Sequence, residues 1–351
     1  ARAVFFGSAP TINSNNRGLD DPRIKLACVQ PGENVNAFGD ALRRLTDRAT
    51  HLYLDNGRYW YSLQPTVTRV ASDLRIQFLR EASENPKSDV QFEVERRLRK
   101  ENERGEFSAI HIAPADAGDV SDETRTRLVI LGPNYEVSRG ASDSSAHAFA
   151  KTILESKGNS PRIHRNTLVF LAPDKKALEK LYEDTASYLA WQQIEAEKEE
   201  RNLNAHAMKQ ALNKRDEFDR AAEIKLRETW QWVLVPDQPV ATDGKIHWEL
   251  CNATGQDSLG KKVSKKLEND ELLISIYGPR LLLMELDKHL WQNRDHIEIS
   301  QLAEAFANYL YLPRLTSPDV LKHAITSSFD GGLILEFFAY ATDFDETSGK
   351  Y

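Results

Sequence analysis

Residues whose types and spacing could do chemistry fall in a few short stretches of this chain. Gly255-Gln256-Asp257-Ser258-Leu259-Gly260-Lys261-Lys262 has the G-x-x-x-x-G-K spacing of a loop whose backbone amides cradle phosphate ahead of a helix. Lys262 stands where a magnesium-binding hydroxyl belongs, and the Asp257 carboxylate would face the phosphate oxygens that such a loop attracts. No apolar strand ending in acidic residues accompanies it. The same stretch also reads as a polar loop opening a basic helix. Lys261, Lys262, Lys265 and Lys266 repeat at i, i+4, with Glu268 and Asp270 partly offsetting them. That face can track a phosphate backbone or simply meet water.

A second basic cluster is Arg43, Arg44 and Arg48, followed by Arg58 at a turn. These side chains suit contacts to phosphates and base edges. Asp40 and Asp47 interrupt them, so residues 40–48 carry a net charge of only +1. Arg17, in Asn15-Asn16-Arg17-Gly18, is a loop arginine that could sense a nucleotide across a subunit boundary. Hydrolase and metal signatures are missing: there is no G-x-S-x-G, no H-E-x-x-H, and the nine histidines are scattered. No catalytic residue and no metal ligand is expected. His111, alternating with Ile110 and Ile112, reads as a sheet-face histidine, and Cys28 as a core residue.

Composition bounds the rest. In 351 residues, 46 Lys and Arg stand against 53 Asp and Glu, a formal net charge of −7, which excludes a globally basic nucleic-acid coat. Two cysteines, Cys28 and Cys251, cannot build a disulfide scaffold or a four-thiolate zinc site. There is no signal peptide and no apolar run of about 18 residues that would cross a membrane, so a cytoplasmic protein without membrane partners is expected. Residues 1–6 read as a strand already under way, as in a piece of something longer.

The elements that must position these residues divide into three zones, 1–102, 103–236 and 237–351. In the first, apolar runs at 4–6 and 24–29 read as strands. Phe38, Leu42, Leu45 and Ala49 recur at helical spacing, and 50–54 and 59–63 flank Asp55-Asn56-Gly57 as a hairpin. Helix plus hairpin is the outline of a winged-helix-like module. A helix is expected over 90–104.

In the second zone, runs at 107–112, 127–131, 168–171 and 230–235 read as buried strands. Asp174 caps a long charged helical stretch, broken near 202–204 and ending about residue 228. The third zone reads as a smaller α+β domain. It has a strand at 247–251, a hairpin of 272–276 with 281–286, a helix capped by Ser300, another from Ser317-Pro318-Asp319, and a strand at 333–340. The fold class is thus mixed α/β and α+β.

Several segments together resemble the carboxyl-terminal part of a prokaryotic family of large predicted ATPases, catalogued as a domain of unknown function. They are residues 2–10 (RAVFFGSAP), 23–33 (RIKLACVQPGE), 39–60 (GDALRRLTDRATHLYLDNGRYW), 159–173 (NSPRIHRNTLVFLAP), 188–191 (YLAW) and 305–314 (AFANYLYLPR). Family members resemble AAA-type P-loop ATPases and occur beside DNA methyltransferases in phage-defence loci, with relatives in bacteriophage-exclusion systems.

The resemblance implies that ATP and magnesium belong to an upstream module, with no cofactor in this chain. It implies a recognition and coupling role, with DNA, a methyltransferase or other defence-system proteins, or further copies of the chain as partners. A protein-interaction scaffold without nucleic acid is the alternative. A third reading is an independent nucleotide-binding protein using residues 255–262.

Overall fold

The computed structural model describes residues 1–11, 17–62, 66–138, 144–201, 203, 205–242, 244–291, 297–326 and 338. They belong to two units, Ala1–Glu84 with Ala186–Asp219, and Asn85–Thr185 with Arg220–Tyr351.

The first unit starts with α1 (Arg2–Ser8), β1 (Leu19–Asp20), α2 (Asp21–Cys28), α3 (Val35–Arg48), β2 (Leu52–Asp55), β3 (Arg58–Tyr61) and α4 (Val67–Glu84). The strands form an antiparallel sheet in the order β1-β3-β2, with Tyr59 of β3 opposite Leu19 on one side and Leu54 on the other. Asn56 and Gly57 both take positive φ, 47° and 73°. This two-residue turn matches the right-handed twist of its strands. The small core gathers Val4, Ile24, Leu42, Leu52 and Tyr59. Ser8 Oγ donates to the Val4 carbonyl and accepts the Tyr61 N–H at 2.9 Å, which fastens α1 to β3.

The second unit contains, wholly or for α7 and α8 in part, α5 (Asp89–Leu98), β4 (Ala109–Ile112), β5 (Arg127–Ile130), α6 (Ser145–Glu155), β6 (Ser156–Lys157), β7 (Ser160–Pro161), β8 (Leu168–Pro173), α7 (Lys175–Ala196), α8 (Ala205–Thr229), β9 (Trp230–Asp237), β10 (His247–Asn252), α9 (Leu259–Asn269), α10 (Pro279–His289), α11 (Ile299–Asn308) and α12 (Asp319–Thr326). Its main sheet is ordered β10-β9-β8-β5-β4; β4, β5 and β8 run parallel, and β9 and β10 antiparallel. Alternate residues feed two cores. Leu128, Ile130, Val169 and Leu171 face α5, α7, α8 and α9, while Val129, Leu131, Leu168 and Phe170 face α6. Burial on both faces explains why β5 and β8 read as continuous apolar runs. A third cluster joins α10, α11 and α12 through Leu282, Leu286, Phe306 and Leu321.

Both long helices change unit along their length. Residues 186–196 of α7 and 205–219 of α8 lie in the first unit, where Trp191, Ile194, Ala207 and Ala211 pack with Val67 and Ala71 of α4. A division at 102 and 236 therefore differs from the one observed, because α7 and α8 return the chain to the first unit. Among the described residues no helix is long and apolar enough to cross a membrane, and no group of His, Cys, Asp and Glu could hold a metal ion.

Several expectations are corrected. Residues 4–6 and 24–28 are helical, and Val29 ends α2 without joining a strand. In α1, Val4 and Ser8 turn inward together while Phe5 and Phe6 are exposed, the four-residue period of a helix. In α2, Asp20 caps the Arg23 N–H and Pro22 occupies the first turn, a helix start that outweighs the apolar run. The hairpin expected from 272–276 and 281–286 is absent: Pro279 opens α10, which buries Leu282 and Leu286 and exposes Leu281 and Met284. The C-terminal part is not a separate α+β domain. Its strand β10 is the edge of the main sheet, and the described elements that follow it are helices. Ser300 does not cap its helix: α11 starts at Ile299 behind Glu298, so Ser300 lies inside the first turn. Of the strand expected at 333–340, only Phe338 is among the described residues, and it lies in no strand.

Gly18 is where the first unit is least tolerant of change. Its φ is +72°, and a Cβ would sit 2.0 Å from the Tyr59 carbonyl oxygen, where β1 meets β3. Gly18→Ala should destabilise this unit by about 2 kcal/mol. Urea unfolding followed by circular dichroism checks this, and an unchanged midpoint contradicts it.

Candidate nucleic-acid interface

The helix that carries the first arginine cluster is held by its ends and by one buried side chain. Asn34 caps α3 by accepting the Asn36 N–H at 2.9 Å, and the Leu45 carbonyl accepts the Ala49 N–H at its other end. Leu42 is buried, Phe38 and Leu45 are half-buried, and Asn36, Asp40, Arg43, Arg44 and Arg48 are exposed. The helix thus rests on a narrow apolar stripe and offers the rest of its surface to solvent.

The arginines do not act as one patch. Arg43 pairs with Asp40 across one turn, with both side chains well exposed. Such a surface pair is weak and can exchange one partner for another. Arg44 is exposed without an ion pair to another described residue. Arg48, at the end of α3, lines a cavity of about 680 Å³ within the first unit instead. Arg58 is turned back onto its own fold: its guanidinium donates to the carbonyls of Arg17 (3.0 Å) and Gly18 (2.5 Å). It ties the turn end of the hairpin to residues 17–18. Arg17 is exposed, with its carbonyl engaged by Arg58.

The lysine face lies on α9, in the second unit, and is largely neutralised there. Lys265 pairs with Asp257 at 2.7 Å and Lys266 with Asp270 at 2.8 Å, which leaves Lys261 exposed without an ion pair among the described residues. Lys262 is 4% exposed and donates to the Arg227 carbonyl, so it cannot reach a phosphate backbone. The start of α9 is also filled by the chain's own acids. The Leu259 N–H donates to Glu101 at 3.2 Å, and Ser258 Oγ donates to Glu103 at 2.6 Å. Gly260 is small because backbone passes there: a Cβ would sit 2.3 Å from the Glu103 carbonyl. The spacing of 255–262 thus serves a helix start packed against residues 101–104, where carboxylates occupy the place a phosphate would need. The contacts made by Glu101 and Glu103 have no local sequence signal, since more than 150 residues separate the partners.

The remaining candidates are structural. His111, on β4, is held below its ordinary value by burial first and then by the charges of Arg127 and Arg162, which keeps its imidazole neutral. Cys28 packs against the core of the first unit. Cys251 is buried, and that burial pushes its thiol up to about 11.

No family model, curated protein or solved structure matches the chain.

Burial makes Lys262 a measurable probe of α9. Desolvation lowers its ammonium to about 8 from 10.5, against the opposing attraction of Glu101 and Glu228. Between those values the unfolded chain binds more protons than the folded one, so stability should rise as pH rises through that window. The difference in urea midpoint between the parent chain and Lys262→Met, measured across the window, should change in that sense. A difference independent of pH overturns the assignment.

Proposed function

We propose that the first unit is a winged-helix-like module that contacts duplex DNA through α3, within a recognition and coupling region of a larger ATPase. The observation that carries this reading is topological. Helix, strand, two helices and a two-strand hairpin, with the sheet ordered β1-β3-β2, leave α3 seated on little more than Leu42 and present Arg43 and Arg44 to solvent. A helix held this way can enter a groove, and a tight Asn56-Gly57 hairpin beside it can meet the backbone. Arg43 can exchange Asp40 for a phosphate, because an exposed pair is worth little in water.

On the resemblance set out above, ATP hydrolysis would belong to a P-loop module outside these 351 residues, and the contact would be coupled to it. Methyltransferases, other defence-system proteins and further copies of the chain are partners consistent with that role. The lysines of α9 do not support a second contact surface, since Lys262 is buried and Lys265 and Lys266 are paired. A scaffold role without nucleic acid is favoured by a different observation in the same unit: Phe6 and Leu26 are exposed at 72% and 83%.

Fluorescence anisotropy with duplex DNA over a salt series separates the two readings. Each neutralised phosphate adds about 0.9 to the slope of log affinity against log salt, so Arg43→Gln/Arg44→Gln should weaken binding at least about tenfold and flatten the slope by about 2. Absence of salt-sensitive binding by the parent chain at low salt would defeat the DNA reading and leave the scaffold.

A further inference from the structure

The cavity of about 680 Å³ in the first unit lies between the hairpin, the end of α3, the start of α4 and α8. Its volume is in the range, roughly 300–1,000 Å³, of sites that enclose small ligands. Its walls are chemically uneven. Tyr53 and Trp60 are direct cross-strand partners that alternate with the core residues Leu52 and Tyr59, and so stand on the hairpin's opposite face. Their rings stack with centroids 5.7 Å apart and planes 14° from parallel, giving one wall a flat aromatic surface.

Two guanidiniums, those of Arg48 and Arg69, also line the space. Arg48 has no ion pair among the described residues, and Arg69 is held at 3.1 Å by Asp73 while remaining half exposed. The Gln210 amide, hydrogen-bonded to Thr68 at 3.1 Å, and Asp55 add polar groups to the lining. A plane for stacking, cations for an anion, and an acceptor for an amine or hydroxyl are the complement of a nucleotide.

We propose that this cavity binds one nucleotide unit, its base on the Tyr53–Trp60 wall and its phosphate toward Arg48 and Arg69. The unit can be a free mononucleotide or an unstacked nucleotide within a single strand, since both present the same base and phosphate. Arg43 and Arg44 do not line the cavity. The site shares the end of α3, through Thr46 and Arg48, but not the Arg43–Arg44 surface, and the two readings are tested with different ligands and can fail independently.

The test is calorimetric titration of the chain with adenosine monophosphate, adenosine and ribose phosphate. Adenosine monophosphate should bind saturably, and each partial compound at least about tenfold more weakly. Trp60→Ala should weaken binding about tenfold, the loss of one base–aromatic stack, and Trp60→Phe should retain most of it. Ser72→Trp, at an exposed position of α4 that lines the cavity, should block binding while leaving the circular dichroism melt unchanged.

A short single-stranded oligodeoxyadenylate without a terminal phosphate identifies the source. Competition with the mononucleotide assigns the site to a nucleotide in a strand, and failure to compete assigns it to a free one. No saturable binding of either ligand, equal binding of ribose phosphate, or binding indifferent to both Trp60→Ala and Ser72→Trp would overturn the proposal.

Discussion

A cation taken out of water must be met by acceptors, and in this chain that requirement governs where positive charge can still face solvent. Arg314 is buried, donates to the carbonyls of Asn166 (2.9 Å) and Pro236 (2.8 Å), and is brought down to about 10 by burial. Arg162 reaches the carbonyls of Ile153 (2.6 Å), Ser121 (2.9 Å) and Val120 (2.9 Å). Arg97 is held by Glu93 at 2.8 Å, and Lys262 by the Arg227 carbonyl. Arg314, Arg162 and Lys262 thus satisfy backbone carbonyls that apolar contacts alone would leave without a donor. Asn166 completes the set by donating to the carbonyls of Phe306 and Leu312.

The first unit follows the same rule on a smaller scale, with a different outcome. Arg58 is engaged by two carbonyls, but α3 buries so little that Arg43 and Arg44 keep their hydration. Arg48 and Arg69 line a cavity that they share with the stacked rings of Tyr53 and Trp60. A chain with a net charge of −7 can present cationic surface only where its acids stand one turn away or not at all, and these two places meet that condition.

Much of the fold was legible because the signals were local. Asn56-Gly57 fixed the hairpin through positive φ, Asp174 capped α7 by accepting the Ala177 N–H at 2.9 Å, and the doubly buried β5 and β8 declared themselves as apolar runs. Residues 4–6 and 24–29 misled because a short apolar run does not separate strand from helix; burial of Val4 with Ser8 and capping by Asp20 did. The site was legible only in part. Arg43 and Arg44 are where helical spacing put them, whereas the lysines of α9 shared a spacing but not a fate. Lys262 lies against the chain of α8, and its neighbours meet Asp257 and Asp270.

By itself the sequence determined the mixed α/β class, the hairpin turn, the capped start of α7 at Asp174 and the overall negative charge, all of which follow from composition or from residues close together in the chain. Tertiary structure alone decided that α7 and α8 return to the first unit, that β10 edges the main sheet, that Glu101 and Glu103 fill the start of α9, and that Tyr53, Trp60, Arg48 and Arg69 surround one cavity. The physical reason is common to all four. Which groups lose water, and which partner compensates them, depends on contacts between residues far apart in sequence, and no local pattern encodes those pairings.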